Sequence, residues 1–214
     1  MSFLPDSVRR FWRHVELNLR EGGIRQVIHK VFWRAGQWIR SESDYLVYRL
    51  DAASYPRTPS LNLTERALSD VELEKLGYFK SLLFPESMRD RVASGMVCHG
   101  FFAGDELANV GWVTSGYLEL EPGERIYEDS SAGIFDCFTV PAHRSKGIYT
   151  DALVRMIHGA RGDGARTVLI AVAPDNYASI KAIERAGFEP HRRITLGRRF
   201  GARIRVERAF SSGR

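Results

Sequence analysis

Residues 133–150 read Gly-Ile-Phe-Asp-Cys-Phe-Thr-Val-Pro-Ala-His-Arg-Ser-Lys-Gly-Ile-Tyr-Thr. Gly133–Val140 is an apolar run with the branched and aromatic residues of a strand. A short basic turn, Pro141–Gly147, follows it. An amphipathic helix then begins, with Ile148, Ala152, Leu153, Met156, Ile157 and Ala160 on one side. A strand, a basic turn and a helix start together make an anion cradle. The first four amides of a helix have no internal partner, and the helix dipole adds about half a positive charge there. Arg144 and Lys146 add whole charges, and Gly147 permits close backbone approach. A pyrophosphate suits such a cradle. The sequence has neither the G-x-x-x-x-G-K-[ST] phosphate loop nor the three spaced glycines of a dinucleotide fingerprint.

Downstream, Thr167–Val172 predicts a buried strand, and Asn176–Ala186 a helix closed by Gly187. Residues 189–197 and 202–209 predict a hairpin around Gly201. Upstream, 97–103 and 108–116 predict a hairpin across Gly104-Asp105-Glu106. Between them and the deciding strand, residues 119–130 are acidic and polar and read as a loop. Ser69 and Glu72 have capping-box spacing for a helix to about Gly77, and Pro85–Ala93 predicts another short helix. Leu61–Arg66 and Tyr45–Leu50 read as strands, with a proline-bearing linker at Ser54–Ser60. Before them, 6–20 and 24–39 carry apolar residues at helical spacing, including Trp12, Trp33 and Trp38, with mostly basic polar positions.

Arg144-Ser145-Lys146-Gly147-Ile148-Tyr149 resembles the R/Q-x-x-G-x-G/A coenzyme A loop of the GNAT superfamily of acyl-CoA N-acyltransferases. Asn176-Tyr177-Ala178-Ser179 with Arg185-Ala186-Gly187-Phe188 is similar to that family's late N-x-x-[AS] … GF element. The resemblance is close over about 133–190, loose over 61–132, and does not reach 1–58. It implies an α/β fold with a mixed, mostly antiparallel central sheet flanked by helices, here with an N-terminal basic amphipathic helical extension. The expected division is 1–58, an extension with strand and linker, and 59–214, an acyl-CoA-binding N-acyltransferase domain. It also implies acetyl-CoA or another acyl-CoA as co-substrate; separately, no His/Cys/Asp cluster has metal-ligand spacing, so no metal is expected. Phe138, Thr139 and Val140 would offer backbone to the pantetheine arm, with a backbone N–H near Val140 polarising the thioester. The amides of Arg144, Ser145, Lys146, Gly147, Ile148 and Tyr149, with the Thr150 hydroxyl, would hold the pyrophosphate. Asn176 and Ser179 would lie near the pantetheine and thioester.

Two positions depart from the pattern. Tyr149 stands where the loop ends in Gly or Ala, and Ile183 where many members carry a tyrosine that protonates the departing thiolate. Tyr149 is therefore a candidate acid or acceptor contact. Asp136 is the candidate base, because a carboxylate inside an apolar strand must be paired or functional. By alternation it shares a face with Phe138 and Val140 and opposes Cys137 and Thr139. A base is needed: an amine of pKa ~10.4 is mostly protonated at pH 7, and its neutral form costs ~4.6 kcal/mol. His99 reads as a core histidine, His143 as a surface group, and Glu119 and Glu121 as solvated or, alternatively, as contacts for a cationic acceptor.

The expected function is acyl transfer to a small-molecule amine by direct attack in a ternary complex. The alternative is a non-catalytic acyl-CoA-binding module that docks through its basic N-terminal helices. Those helices, within 1–40, fit packing on the domain, a homodimer contact or a peripheral membrane contact. The chain has 214 residues and net charge +5, divided as +4 over 1–60, −5 over 61–188 and +6 over 189–214. No nucleic-acid-binding motif accompanies the basic ends. Two cysteines, Cys98 and Cys137, are too few for a disulfide framework, and no uninterrupted apolar run of membrane-spanning length occurs, so a cytoplasmic location is expected.

Overall fold

The structure, a computed structural model, describes residues 40–69, 72, 91–121, 123–199 and 202–210. The helices expected at 6–20 and 24–39, and the partner and membrane roles attached to them, lie outside the described residues. The chain divides into two compact units, Met1–Ser43 with Thr195–Val206 and Asp44–Ile194 with Glu207–Arg214. The described part of the first consists of strand segments.

The described strands form an eight-stranded sheet. Its strands are β1 (Arg40–Asp51), β2 (Thr64–Ala67), β3 (Val97–Ala103), β4 (Glu106–Glu121), β5 (Glu124–Thr139), β6 (Thr167–Val172), β7 (Glu189–Arg199) and β8 (Ala202–Ala209). Their order is β2-β3-β4-β5-β6-β1-β7-β8. The pairs β2–β3, β3–β4, β4–β5 and β6–β1 are antiparallel, and β5–β6 is parallel. A parallel pair needs a crossover, which here is helix α1 (Ile148–Gly162). Helix α2 (Tyr177–Ala186) follows β6. This is the mixed, mostly antiparallel sheet with flanking helices that the sequence led us to expect.

The core lies between α1 and one sheet face. Leu153, Met156 and Ile157 of α1 are fully buried with Ile134 of β5 and Val168 and Ile170 of β6. The sequence positions 148, 152, 153, 156, 157 and 160 are all in this buried set. Asn176 caps α2 by accepting the Ser179 amide at 3.2 Å, and Gly187 ends it at φ 102°. Glu72 accepts the Ser69 amide at 3.0 Å, the backward half of a capping box. The rest of that expected helix lies outside the described residues.

One expectation is corrected. Residues 119–130 are not a loop: β4 runs to Glu121 and β5 starts at Glu124. Leu118 and Ile126 pair across this hairpin and are buried, which anchors it despite the flanking acids. Glu119 is 6% exposed, 4.0 Å from both Arg91 and Arg125. The strand expected at Leu61–Arg66 also shifts, to Thr64–Ala67. Residues 60 and 61 instead dock on α1, where the Asp151 carboxylate accepts the Ser60 and Leu61 amides. Arg155 completes the clamp, donating to Asp151 at 2.8 Å and to the Leu61 carbonyl at 2.7 Å.

Burial of Asp151 pushes its carboxyl upward, but the bonds from Arg155, Leu61 and Ser60 outweigh this and hold it below its ordinary range. A lowered folded-state pKa contributes stability above the unfolded value of about 3.9, lost as pH falls through the folded value. Asp151→Ala should lose roughly 3–5 kcal/mol in urea unfolding, because it strands Arg155 and two amides. Asp151→Asn should remove this carboxylate's share of the acid-side loss, seen as a shallower fall of stability below about pH 4.

Candidate active site

β5 does not stay regular. Val110 pairs with Phe138 and Trp112 with Phe135, so Asp136 and Cys137 together oppose Gly111 alone. This is a β-bulge, and Asp136 takes its left-handed position at φ 45°. The opposing glycine has a packing reason: a Cβ on Gly111 would lie 2.9 Å from Met156 Sδ and 3.0 Å from Cys137 Sγ. The bulge disturbs alternation, and Phe135 and Asp136 both meet Arg91. Asp136 pairs with Arg91 at 2.7 Å, and the guanidinium lies 5.0 Å from the Phe135 ring centre and 5.4 Å from that of Trp112. Cys137 faces the other way, toward α1.

The bulge also parts the strands. β5 and β6 pair from Ser131↔Thr167 to Ile134↔Ile170 and no further, although both run on. A cavity of about 600 Å³ opens there. Its lining includes Cys137, Phe138 and Thr139 of β5, Arg144, Ser145 and Gly147 of the turn, and Ile148, Tyr149 and Thr150 of α1. From beyond β6 come Asn176, Ala178, Ser179, Lys181, Ala182 and Arg185.

The turn is shaped for its amides. Ser145 at φ 61° and Gly147 at φ 78° both have positive φ, the kind of backbone from which anion-binding nests are built. A Cβ on Gly147 would meet nothing within 4 Å, so its glycine serves backbone conformation rather than space. The Asp151 amide bonds the Gly147 carbonyl, the first backbone bond of α1. The amides just before it have no intrahelical partner.

Some expected contacts are already taken. The Val140 amide donates to the Ala108 carbonyl at 3.0 Å and does not face the gap. The Arg144 amide donates to Pro141 at 3.2 Å. The Arg144 side chain folds back, donating to the Thr139 carbonyl at 3.1 Å with its guanidinium 5.3 Å from the Phe138 ring centre. The Thr150 hydroxyl reaches the Ala182 carbonyl at 3.5 Å and ties α1 to α2. Val140 and Lys146 are not in the cavity lining. His143 sits 3.2 Å from Glu106, and His99 2.9 Å from Glu65. Glu121 accepts the Tyr45 hydroxyl at 3.0 Å.

Tyr149 points its phenol into the fold. It packs against the core, and its hydroxyl is hydrogen-bonded to Cys137 Sγ. Burial pushes the phenol well above its ordinary pKa, and the Cys137 pairing adds to this. Burial, then the Asp136 charge, push the Cys137 thiol upward as well. Ile183, at the place of the expected tyrosine, is 0% exposed in the core.

Sequence reasoning missed Lys181, Arg185, Ala178, Ala182 and Cys137 as cavity residues. The α2 set was visible as helical spacing across 178, 181, 182 and 185, but which face meets a cavity depends on packing. Among the described residues, no group of three or more His, Cys, Asp or Glu is placed to hold a metal. Among them, too, no helix is long and apolar enough to cross a membrane.

The sequence model of the acetyltransferase (GNAT) family matches residues 71–188. No curated protein matches the chain. Among solved structures, it is similar to an acetyltransferase of the GNAT family from Colwellia psychrerythraea, at 16% identity and TM-score 0.54, over 72% of this chain and 56% of that one. A GNAT-family protein from Novosphingobium aromaticivorans aligns at 14% identity and TM-score 0.53, over 73% of this chain and 63% of that one. The chain thus spans less than two thirds of either structure, and at these identities the likeness is one of fold.

The left-handed conformation at Asp136 is directly testable. Asn tolerates that region and a β-branched residue does not. Both Asp136→Asn and Asp136→Val remove the charge beside Arg91, and Asn also keeps an acceptor for the guanidinium, so their difference combines the backbone cost with one lost hydrogen bond. In urea unfolding the Val variant should be less stable by about 1–2 kcal/mol; equal stabilities would contradict the bulge geometry.

Proposed function

The chain belongs to the acetyltransferase (GNAT) family, and on that premise we propose that it transfers an acetyl or other short acyl group from acyl-CoA to the amine of a small-molecule acceptor. One observation carries the reading: the gap where β5 leaves β6, with the α1 start at its mouth and a cavity of about 600 Å³ along the freed edge. That gap suits a pantetheine arm lying as a pseudo-strand. The Val140 amide bonds β4, so ladder alternation turns the Thr139 N–H toward the gap. The amides of Ser145 through Tyr149 suit the pyrophosphate, with Lys146 adding charge. Asn176 serves first as the α2 cap, and with Ser179 it borders the same groove.

The proposed chemistry is direct. The acceptor nitrogen forms a bond to the thioester carbon, the C–S bond breaks, and the amine loses a proton. Asp136 receives that proton. It is 43% exposed at the bulge, oriented by Arg91. On the opposite face, Tyr149 lines the cavity, and its hydroxyl would have to leave Cys137 to donate toward the departing sulfur. A thiol pKa of about 8.5 makes that sulfur a tolerable leaving group in any case. Burial keeps Cys137 a thiol, which argues against an acyl-cysteine intermediate. Holding the thioester and amine together supplies much of the rate.

Isothermal titration with acetyl-CoA tests the reading. Gly147→Asp tolerates the left-handed backbone, has open space, and places an anion at the helix start. Wild type should bind and Gly147→Asp should bind at least about tenfold more weakly. No binding of acetyl-CoA, longer acyl-CoAs or free CoA would sink the proposal. Asp136→Asn should lower kcat for thiol release with an amine panel by about a hundredfold or more while leaving acetyl-CoA affinity unchanged. Coenzyme binding without turnover on any amine would favour a non-catalytic acyl-CoA-binding module instead.

A further inference from the structure

The chemistry above uses the hydroxyl of Tyr149 but not its bulk. Tyr149 and Cys137 both line the cavity, and both pack on the core from half-buried positions. The cationic lining residues, Arg144, Lys181 and Arg185, come from the turn and from α2. The β5 side offers only Cys137, Phe138 and Thr139. Behind Cys137 the wall has no room to give. A Cβ on Gly111 would lie 3.0 Å from Cys137 Sγ and 2.9 Å from Met156 Sδ, and Met156 is itself fully buried. An interior packed this closely yields little. The Tyr149 ring is fixed at its backbone by the first turn of α1 and at its hydroxyl by Cys137. Releasing the hydroxyl frees a proton donor without removing the ring.

We infer that Tyr149, backed by Cys137, is a stop that limits the acyl group to a short chain. This rests on the acyl-CoA reading above. With the pyrophosphate at the α1 amides and the pantetheine arm along the freed edge of β5, Thr139 leads back along the strand to Cys137. The thioester end therefore arrives beside this pair. The pair is uncharged, which suits an alkyl chain, but the ring occupies the space such a chain would need. An acetyl methyl needs no more room, whereas each added methylene has to displace the phenol. The residue type matters, because alanine in its place would leave a void continuous with the cavity. The simpler account is that Tyr149 only fills the core. It explains the packing, yet it predicts no dependence on which acyl group the cavity holds.

The test is titration of the full chain, without acceptor, with free CoA, acetyl-CoA and hexanoyl-CoA. Wild type is compared with Tyr149→Phe, Tyr149→Leu and Tyr149→Ala, and each thioester affinity is read relative to free CoA so that a general weakening cancels. Wild type should bind acetyl-CoA about tenfold or more tightly than hexanoyl-CoA. Tyr149→Phe keeps the ring and should keep that preference. Tyr149→Ala should reverse it, because burying the added methylenes in the vacated space is worth at least about tenfold. Tyr149→Leu leaves a smaller void and keeps the test open should the alanine variant not fold. It should shift the preference the same way by about threefold or more. Melting temperatures check the fold of each variant. Equal wild-type affinity for the two thioesters, or a preference that survives in the folded Leu and Ala variants, would overturn the stop while leaving acyl-CoA binding intact. Loss of the preference in Tyr149→Phe would assign it to the hydroxyl and overturn the stop too. Binding of none of the three ligands would remove the acyl-CoA reading and this inference with it.

Discussion

The bulge at Asp136–Cys137 is the constraint on which the site depends. Two residues of β5 sit against Gly111 alone, and the strand turns away from β6 just beyond Ile134. The parallel ladder ends at that point although β6 runs on to Val172, and the cavity opens beside the bulged segment. The bulge is held on both faces. Arg91 fixes the Asp136 carboxylate on one, and Met156 and Cys137 fill the space beside Gly111 on the other. Asp136 occupies a backbone conformation that glycine would adopt more cheaply. Its charge is therefore retained against a local conformational penalty, the usual mark of a functional or tightly paired position.

Helix α1 joins the core to the site. Its buried side chains pack on β5 and β6, which fixes where its first turn lies. The unpartnered amides of that turn then face the gap as a consequence of packing. Asp151, one turn in, holds residues 60 and 61 against the same helix. One carboxylate thus links the crossover helix to the segment leading into β2. The hydroxyl of Thr150 adds a tie to α2, which carries Lys181 and Arg185 into the cavity wall. Cys137 and Tyr149, bonded to each other and partly desolvated, resist ionisation and leave the groove's inner end uncharged.

Where a residue's role follows from its neighbours in sequence, reading the chain succeeded. The alternating and helical apolar patterns locate β5, α1, β6, α2 and the last hairpin. Asn176 and Gly187 mark the ends of α2 because caps are local chemistry. Where a role depends on a partner strand, it did not. The Val140 amide looks available in a one-dimensional reading, yet β4 claims it. The acidic stretch 119–130 looks solvated, yet Leu118 and Ile126 pair across a hairpin, and Arg91 and Arg125 compensate the buried Glu119.

The sequence by itself determined the order of elements, the strand–turn–helix cradle and the family resemblance, because periodicity, capping and turn chemistry act over a few residues. It also singled out Asp136 and Tyr149 as residues out of pattern. Tertiary structure alone decided where they act: Asp136 against Arg91, a partner 45 positions away, and the Tyr149 phenol against Cys137. It alone decided which amides stay free and which face of α2 meets the cavity. Each of these depends on which strand lies beside which, and that is set by burying a shared core across long separations in the chain rather than by any local signal.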